Sequence, residues 1–116
     1  MLIGLDQDAE AVERGRKALS PFGERAQGRQ ANYRDLPDVL AGAGYEAVDG
    51  LLLDLGISWF HLRSPERGFS FLLDGPLDMR MDQSSTTTAQ DLVNTLPVKE
   101  LARIIREYIL PNKNLS

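Results

Sequence analysis

Residues 47–58 read Ala47-Val48-Asp49-Gly50-Leu51-Leu52-Leu53-Asp54-Leu55-Gly56-Ile57-Ser58. They are followed by Pro65-Glu66-Arg67-Gly68-Phe69-Ser70-Phe71 and by Asp74-Gly75-Pro76-Leu77-Asp78-Met79-Arg80-Met81-Asp82. Residues 47–53, apolar apart from Asp49, read as a buried strand with Asp54 at its carboxyl end. The loop that follows, 55–87, is far longer than a strand-to-helix connection needs. It is punctuated by Gly56, Gly68, Gly75, Pro65 and Pro76 and carries charges of both signs. A long, structured, charged loop directly after a strand is where binding and catalytic groups concentrate.

Working outward, Leu2–Leu5 is a short apolar run ending in Asp6, and predicts another buried strand. Asp8 is placed to cap a helix over 9–19, with Glu10 in its first turn and Ser20-Pro21-Phe22-Gly23 as its stop. Residues 26–31 predict a weak strand, and 36–43 a short helix closed by Gly42 and Gly44. The order strand, helix, strand, helix, strand predicts a parallel sheet with helices on its faces. Thr88, with Asp91 three residues on, opens a helix. A second helix over 98–110 follows Pro97 and carries Leu101, Ile104, Ile105 and Tyr108 at helical spacing. The tail 111–116 reads as frayed.

The chain has 116 residues, one modest domain at most, and its 42% hydrophobic content permits a core. There is no cysteine, hence no disulfide framework and no thiolate metal site, which agrees with a cytoplasmic location. The run Leu51–Leu53 falls far short of the roughly 20 apolar residues of a membrane span. A net charge of −4 argues mildly against nucleic-acid binding, although Arg14, Arg16, Lys17, Arg25, Arg29 and Arg34 bias the first third towards positive charge. These cations are read in the first place as a solvated face.

At the carboxyl end of a strand, Asp6 lies where open parallel sheets hold ligands. It could accept from both hydroxyls of a ribose, or it could simply open the next helix.

The three quoted words resemble the S-adenosylmethionine-dependent methyltransferases that modify the exocyclic amino group of a cytosine in small-subunit ribosomal RNA, the MraW/RsmH type. The resemblance is strongest over 53–82 and extends more weakly over 3–108. It implies a partial Rossmann-like methyltransferase core over 1–87, with its site loop at 55–87, and the first helices of an inserted cap over 88–110. It also implies S-adenosylmethionine as cofactor and small-subunit ribosomal RNA as partner. The matching acid at Asp6 would bind the adenosyl ribose. Tyr33 stands where the family usually has a phenylalanine packed on the adenine, and keeps the flat face for stacking. The alternative is a half-buried loop tyrosine. Asp54 matches an acid that contacts the cofactor, and is the best placed group to receive a proton. Ser58 could accept a hydrogen bond from the target amine. His61 replaces a glutamine that contacts the cofactor: the family reads Ser-Ser-Pro-Gln-Leu where this chain has Ser58-Trp59-Phe60-His61-Leu62.

Trp59, Phe60, Phe69 and Phe71 could stack on an unstacked base. Arg67 and Arg80 could hold RNA phosphates or pair with Asp74, Asp78 and Asp82; internal pairing is favoured, because unpaired acids would repel RNA. The family has a glycine-rich turn that would precede residue 1, and further helices and strands beyond 108. Both ends are therefore expected to be internal to the full fold, the cofactor to bind weakly, turnover to be absent, and exposed strand edges to favour self-association. Two rival readings stand: a methyltransferase of another substrate class, or a non-catalytic interaction module.

Overall fold

The structure is a computed structural model and describes residues 1–109. Residue 110 and the predicted frayed tail lie outside the described residues. Two compact units are present. Among the described residues, one comprises 1–56 with 81–84, the other 57–80 with 85–109.

In the first unit, β1 (Leu2–Asp6) and β2 (Ala26–Gln30) form a parallel pair in the register Leu2 to Ala26 through Asp6 to Gln30. The connection between them is α1 (Ala9–Leu19), followed by a tight 3-10 segment, Ser20–Arg25. Asp8 caps α1 as its sequence predicts, its carboxylate accepting from the Glu10 N–H at 3.0 Å. The helix lies close on β2. A methyl group at Gly28 would meet the Arg16 Cγ at 3.1 Å and the Val12 carbonyl at 3.6 Å. The Arg16 Nε donates to the Gly28 carbonyl at 3.0 Å. Val12 is the buried apolar side chain among the described residues. Its burial contributes roughly 1.5–3 kcal/mol, so this core is thin. A 3-10 turn, Tyr33–Asp35, leads into α2 (Leu36–Gly42).

The apolar run 47–53 forms no strand among the described residues; its backbone is irregular. Leu51 and Leu53 are exposed, and Leu52 is 92% exposed. The prediction of a strand here is therefore corrected. An apolar run becomes a strand only when a neighbour satisfies its N–H and C=O groups and covers its side chains. The described sheet consists of β1 and β2 alone, and 47–53 pairs with neither.

The second unit holds α3 (Trp59–Arg63), a 3-10 turn at Pro65–Arg67, α4 (Ala89–Thr95), and α5 (Val98–Ile104) continuing into a π turn, Ile105–Ile109. Thr88 and Asp91 make the predicted reciprocal cap of α4. The architecture is α/β, a parallel two-strand sheet with flanking helices. Among the described residues, no helix is long and apolar enough to cross a membrane.

Candidate functional site

The carboxyl edge of β1–β2 is built by hydrogen bonds between the chain exits from the two strands. The Asp6 carbonyl accepts from the Ala31 N–H at 3.0 Å, so the ends of the strands are tied. The exposed Asp6 carboxylate accepts from the Asp8 N–H through Oδ1 at 2.9 Å. Asn32 turns the chain after β2: its side-chain oxygen accepts from the Arg34 N–H at 3.1 Å, opening the 3-10 turn that carries Tyr33. Asp6 and Tyr33 thus leave the sheet from the same edge, and the Tyr33 ring is exposed.

Four further residues knit this edge together, and the sequence reading did not single them out for it. The Asn32 amide donates to the Gln7 side-chain oxygen at 3.1 Å. The Gln30 amide donates to the Gln7 carbonyl at 3.2 Å and to Asp82 Oδ1 at 3.3 Å. Asp82 Oδ1 also accepts from the Ser84 hydroxyl at 2.7 Å and the Ser84 N–H at 2.9 Å. The Ser84 hydroxyl, then its N–H, hold the Asp82 carboxyl below its ordinary range. The available signal was the run of amide side chains directly after each strand: Gln7 after β1, and Gln30 and Asn32 at the end of β2.

Asp54 lies in irregular, exposed chain. Without a strand before it, Asp54 does not stand at the carboxyl end of a strand as its sequence predicts.

In the second unit, Ser58 and His61 are brought together as the two partners of a capping box at the start of α3. His61 Nδ1 accepts from the Ser58 N–H at 3.0 Å and lies 3.1 Å from the Ser58 hydroxyl, and the His61 N–H donates to Ser58 Oγ at 3.4 Å. An Nδ1 that accepts puts the proton of the neutral ring on Nε2. The ring is buried, with its centroid 5.1 Å from that of Phe69.

The words 65–71 and 74–82 meet as backbone on backbone. The Met79 N–H donates to the Arg67 carbonyl at 3.0 Å. Gly68 is left-handed, with φ of 70°, and a side chain there would strike the Pro76 carbonyl and lie 2.7 Å from the Asp78 nitrogen. A side chain at Gly75 would strike the Pro65 carbonyl. The clasp reaches α4, because the Ala89 and Gln90 N–H groups donate to the Asp78 and Leu77 carbonyls, each at 2.8 Å.

Arg80 pairs internally, as favoured. Its Nε and Nη2 donate to the two Asp78 carboxylate oxygens, and its Nη1 to the Ser85 carbonyl at 2.6 Å. The Asp78 carboxylate raises the Arg80 pKa further above its ordinary value. Arg67 is buried and donates to the Arg80 carbonyl at 3.2 Å.

Comparison with known proteins bears on what this arrangement serves. The chain is 51% identical over 107 residues to the ribosomal RNA small subunit methyltransferase H of Carboxydothermus hydrogenoformans, covering 92% of this chain and 34% of the relative. The protein of the same name from Syntrophotalea carbinolica is 53% identical over 108 residues, covering 93% of this chain and 34% of the relative. That from Geotalea daltonii is 52% identical over 108 residues, covering 93% and 35%. The chain therefore spans about a third of the length of these curated relatives. The profile of the MraW methylase family matches residues 1–111. On that match the chain belongs to the MraW methylase family, and its parallel strands and flanking helices are part of a Rossmann-like methyltransferase fold.

Proposed function

We propose that this chain takes part in S-adenosylmethionine-dependent methylation of the exocyclic amino group of a cytosine in small-subunit ribosomal RNA, in the cytoplasm. The observation that carries the reading is the pairing of Asp6 with Gln30, which sets Asp6 and the Asn32–Tyr33 turn at one carboxyl edge. Support comes from relatives named as small-subunit ribosomal RNA methyltransferases. In this reading, residues 1–87 belong to the methyltransferase core and 88–110 to an inserted helical cap.

The edge suits an adenosyl group. Asp6 is exposed, and its hydrogen bond from Asp8 engages Oδ1, leaving Oδ2 to accept from ribose hydroxyls. The Tyr33 ring offers a face to adenine. Asp54 is the carboxylate assigned to the positive end of the cofactor. When bound, S-adenosylmethionine supplies an already activated methyl group for in-line displacement. The protein's work is therefore to align, and to take up charge and a proton.

Ser58 and His61 act together. Ser58 Oγ accepts the His61 N–H, and its second lone pair remains for a target amine. His61, in the family's glutamine position, then serves by fixing Ser58. Asp54 takes the proton that the amine gives up on methylation.

Isothermal calorimetry of the chain with S-adenosylmethionine tests the binding step, with Asp6→Ala as the control for ribose contact. Because turnover is expected to be absent in this chain, its binding to small-subunit ribosomal RNA, compared with DNA, tests the substrate. No heat with the parent chain at millimolar cofactor would favour the non-catalytic module, and binding to DNA alone would favour another substrate class.

A further inference from the structure

Trp59 and Arg63 stand one turn apart on α3. The Arg63 guanidinium lies over the indole, 5.9 Å from its centroid, within cation–π range. The indole remains 68% exposed, and Phe60 beside it is exposed too. Among the described residues no carboxylate pairs with Arg63. The inner side of the helix is fixed by its cap and by the buried His61 ring against Phe69. A short, capped helix thus presents a large aromatic face and, among the described residues, a cation without a carboxylate partner to solvent.

We propose that Trp59 and Arg63 form a stacking site for an unpaired base of single-stranded RNA, the indole taking the base and the guanidinium the adjoining phosphate. Every base has a π face, so an exposed indole stacks without demanding a particular sequence. A guanidinium matches phosphate oxygens in shape and charge. In this unit Arg80 is committed to Asp78 and Ser85, and Arg67 is buried. Arg63 is the guanidinium set beside the exposed ring. The net charge of −4 opposes RNA at long range, so the contact is modest in affinity and short in reach. The choice of RNA rests on the ribosomal RNA reading above; the stacking itself does not depend on methyl transfer.

Trp59 is the single tryptophan of the chain, so its fluorescence reports the site directly. Titrating the full 116-residue chain with an unstructured oligoribonucleotide should quench Trp59 saturably, and duplex RNA of equal length should quench it far less. By anisotropy of a labelled strand, Trp59→Ala should weaken binding about 10-fold, the size of one base–aromatic stack, while Trp59→Phe retains most of the affinity. Arg63→Gln should lower the slope of log affinity against log salt by about 0.7. Circular dichroism of each variant checks that the fold is kept.

Equal affinity for the parent and Trp59→Ala overturns the proposal. So does equal quenching by duplex, or none at about 1 mM strand, which is above the usual non-specific range. An emission shift that follows chain concentration without RNA, and that persists in Leu52→Glu, overturns it in favour of a second copy on this face. Calorimetry with S-adenosylmethionine separates the two readings. RNA quenching without cofactor binding upholds the stacking site and sinks the methyltransferase reading. Cofactor binding, with RNA affinity indifferent to Trp59, does the reverse.

Discussion

The Arg80 guanidinium grips both carboxylate oxygens of Asp78, with Nε 2.9 Å from Oδ1 and Nη2 2.6 Å from Oδ2. The two residues are neighbours but one, so the pair folds the chain back on itself where the Pro65–Gly68 turn meets Gly75–Met79. Lysine keeps the charge but cannot span both oxygens. Arg80→Lys should therefore speed chymotryptic cleavage at Phe69 and Phe71, and Arg80→Ala should speed it more. Cleavage rates that match the parent in both variants would show that the main-chain contacts hold the loop unaided.

Gly68 and Gly44 separate backbone strain from collision. Both have positive φ, 70° and 82°, but a side chain at Gly44 meets open space. Gly44→Ala should cost about 1 kcal/mol, the usual penalty of a left-handed alanine. Gly68→Ala adds a clash with the Pro76 carbonyl and the Asp78 nitrogen, and should cost roughly 3 kcal/mol or more. Urea midpoints at unchanged slope measure the difference. Equal costs would mean that the contact between the two words gives way freely.

Acid should loosen α4 through Asp91. The Thr88 N–H, then its hydroxyl, hold the Asp91 carboxyl below its ordinary value, and Asp82 and Glu100 are lowered likewise, by Ser84 and by Arg103. A carboxylate with a lowered folded-state pKa stabilises the fold above its ordinary value. That contribution is lost as pH falls through the folded-state value. Far-ultraviolet circular dichroism should show helix loss below about pH 4. Asp91→Ala should start with less helix at neutral pH and lose less on acidification. An acid titration identical to the parent's would remove the cap from the explanation.

The exposed run at Leu51, Leu52 and Leu53, with Leu55 and Ile57, should drive self-association. Sedimentation velocity of the parent should show a concentration-dependent shift to larger species. Leu52→Glu, at the most exposed of the three positions 51–53, should abolish it with no change in circular dichroism. A parent that stays monomeric at high concentration rules the run out as an adhesive surface.

Local signals proved legible where a few neighbouring residues settle the structure. Asp8 and Thr88 cap the helices that their side chains announce, and Pro21 and Gly23 turn the chain where α1 ends. β1 and β2 read correctly because each has the other as its partner. Residues 47–53 did not, since composition reports that a segment seeks burial, not that a neighbour is there to supply it. The Gln30–Asp82 bond joins residues 52 positions apart, a separation that no local pattern reveals. By sequence alone, Ser58 and His61 read as separate groups for ligands. Their spacing is also that of a capping box, and the imidazole takes the part that glutamine or glutamate usually plays.

The clasp around Gly68 and Gly75 is made of carbonyls, amide N–H groups and absent side chains. Such a frame imposes no identity on the residues carried between its jaws. Phe71, Leu72 and Leu73 are exposed inside that span and touch none of its closing bonds. Of these, Leu72 and Leu73, which lie between the two signature words, can be exchanged in a library while the loop keeps its shape. The loop is therefore fixed at its backbone hinges, and Leu72 and Leu73 at its tip are free to change.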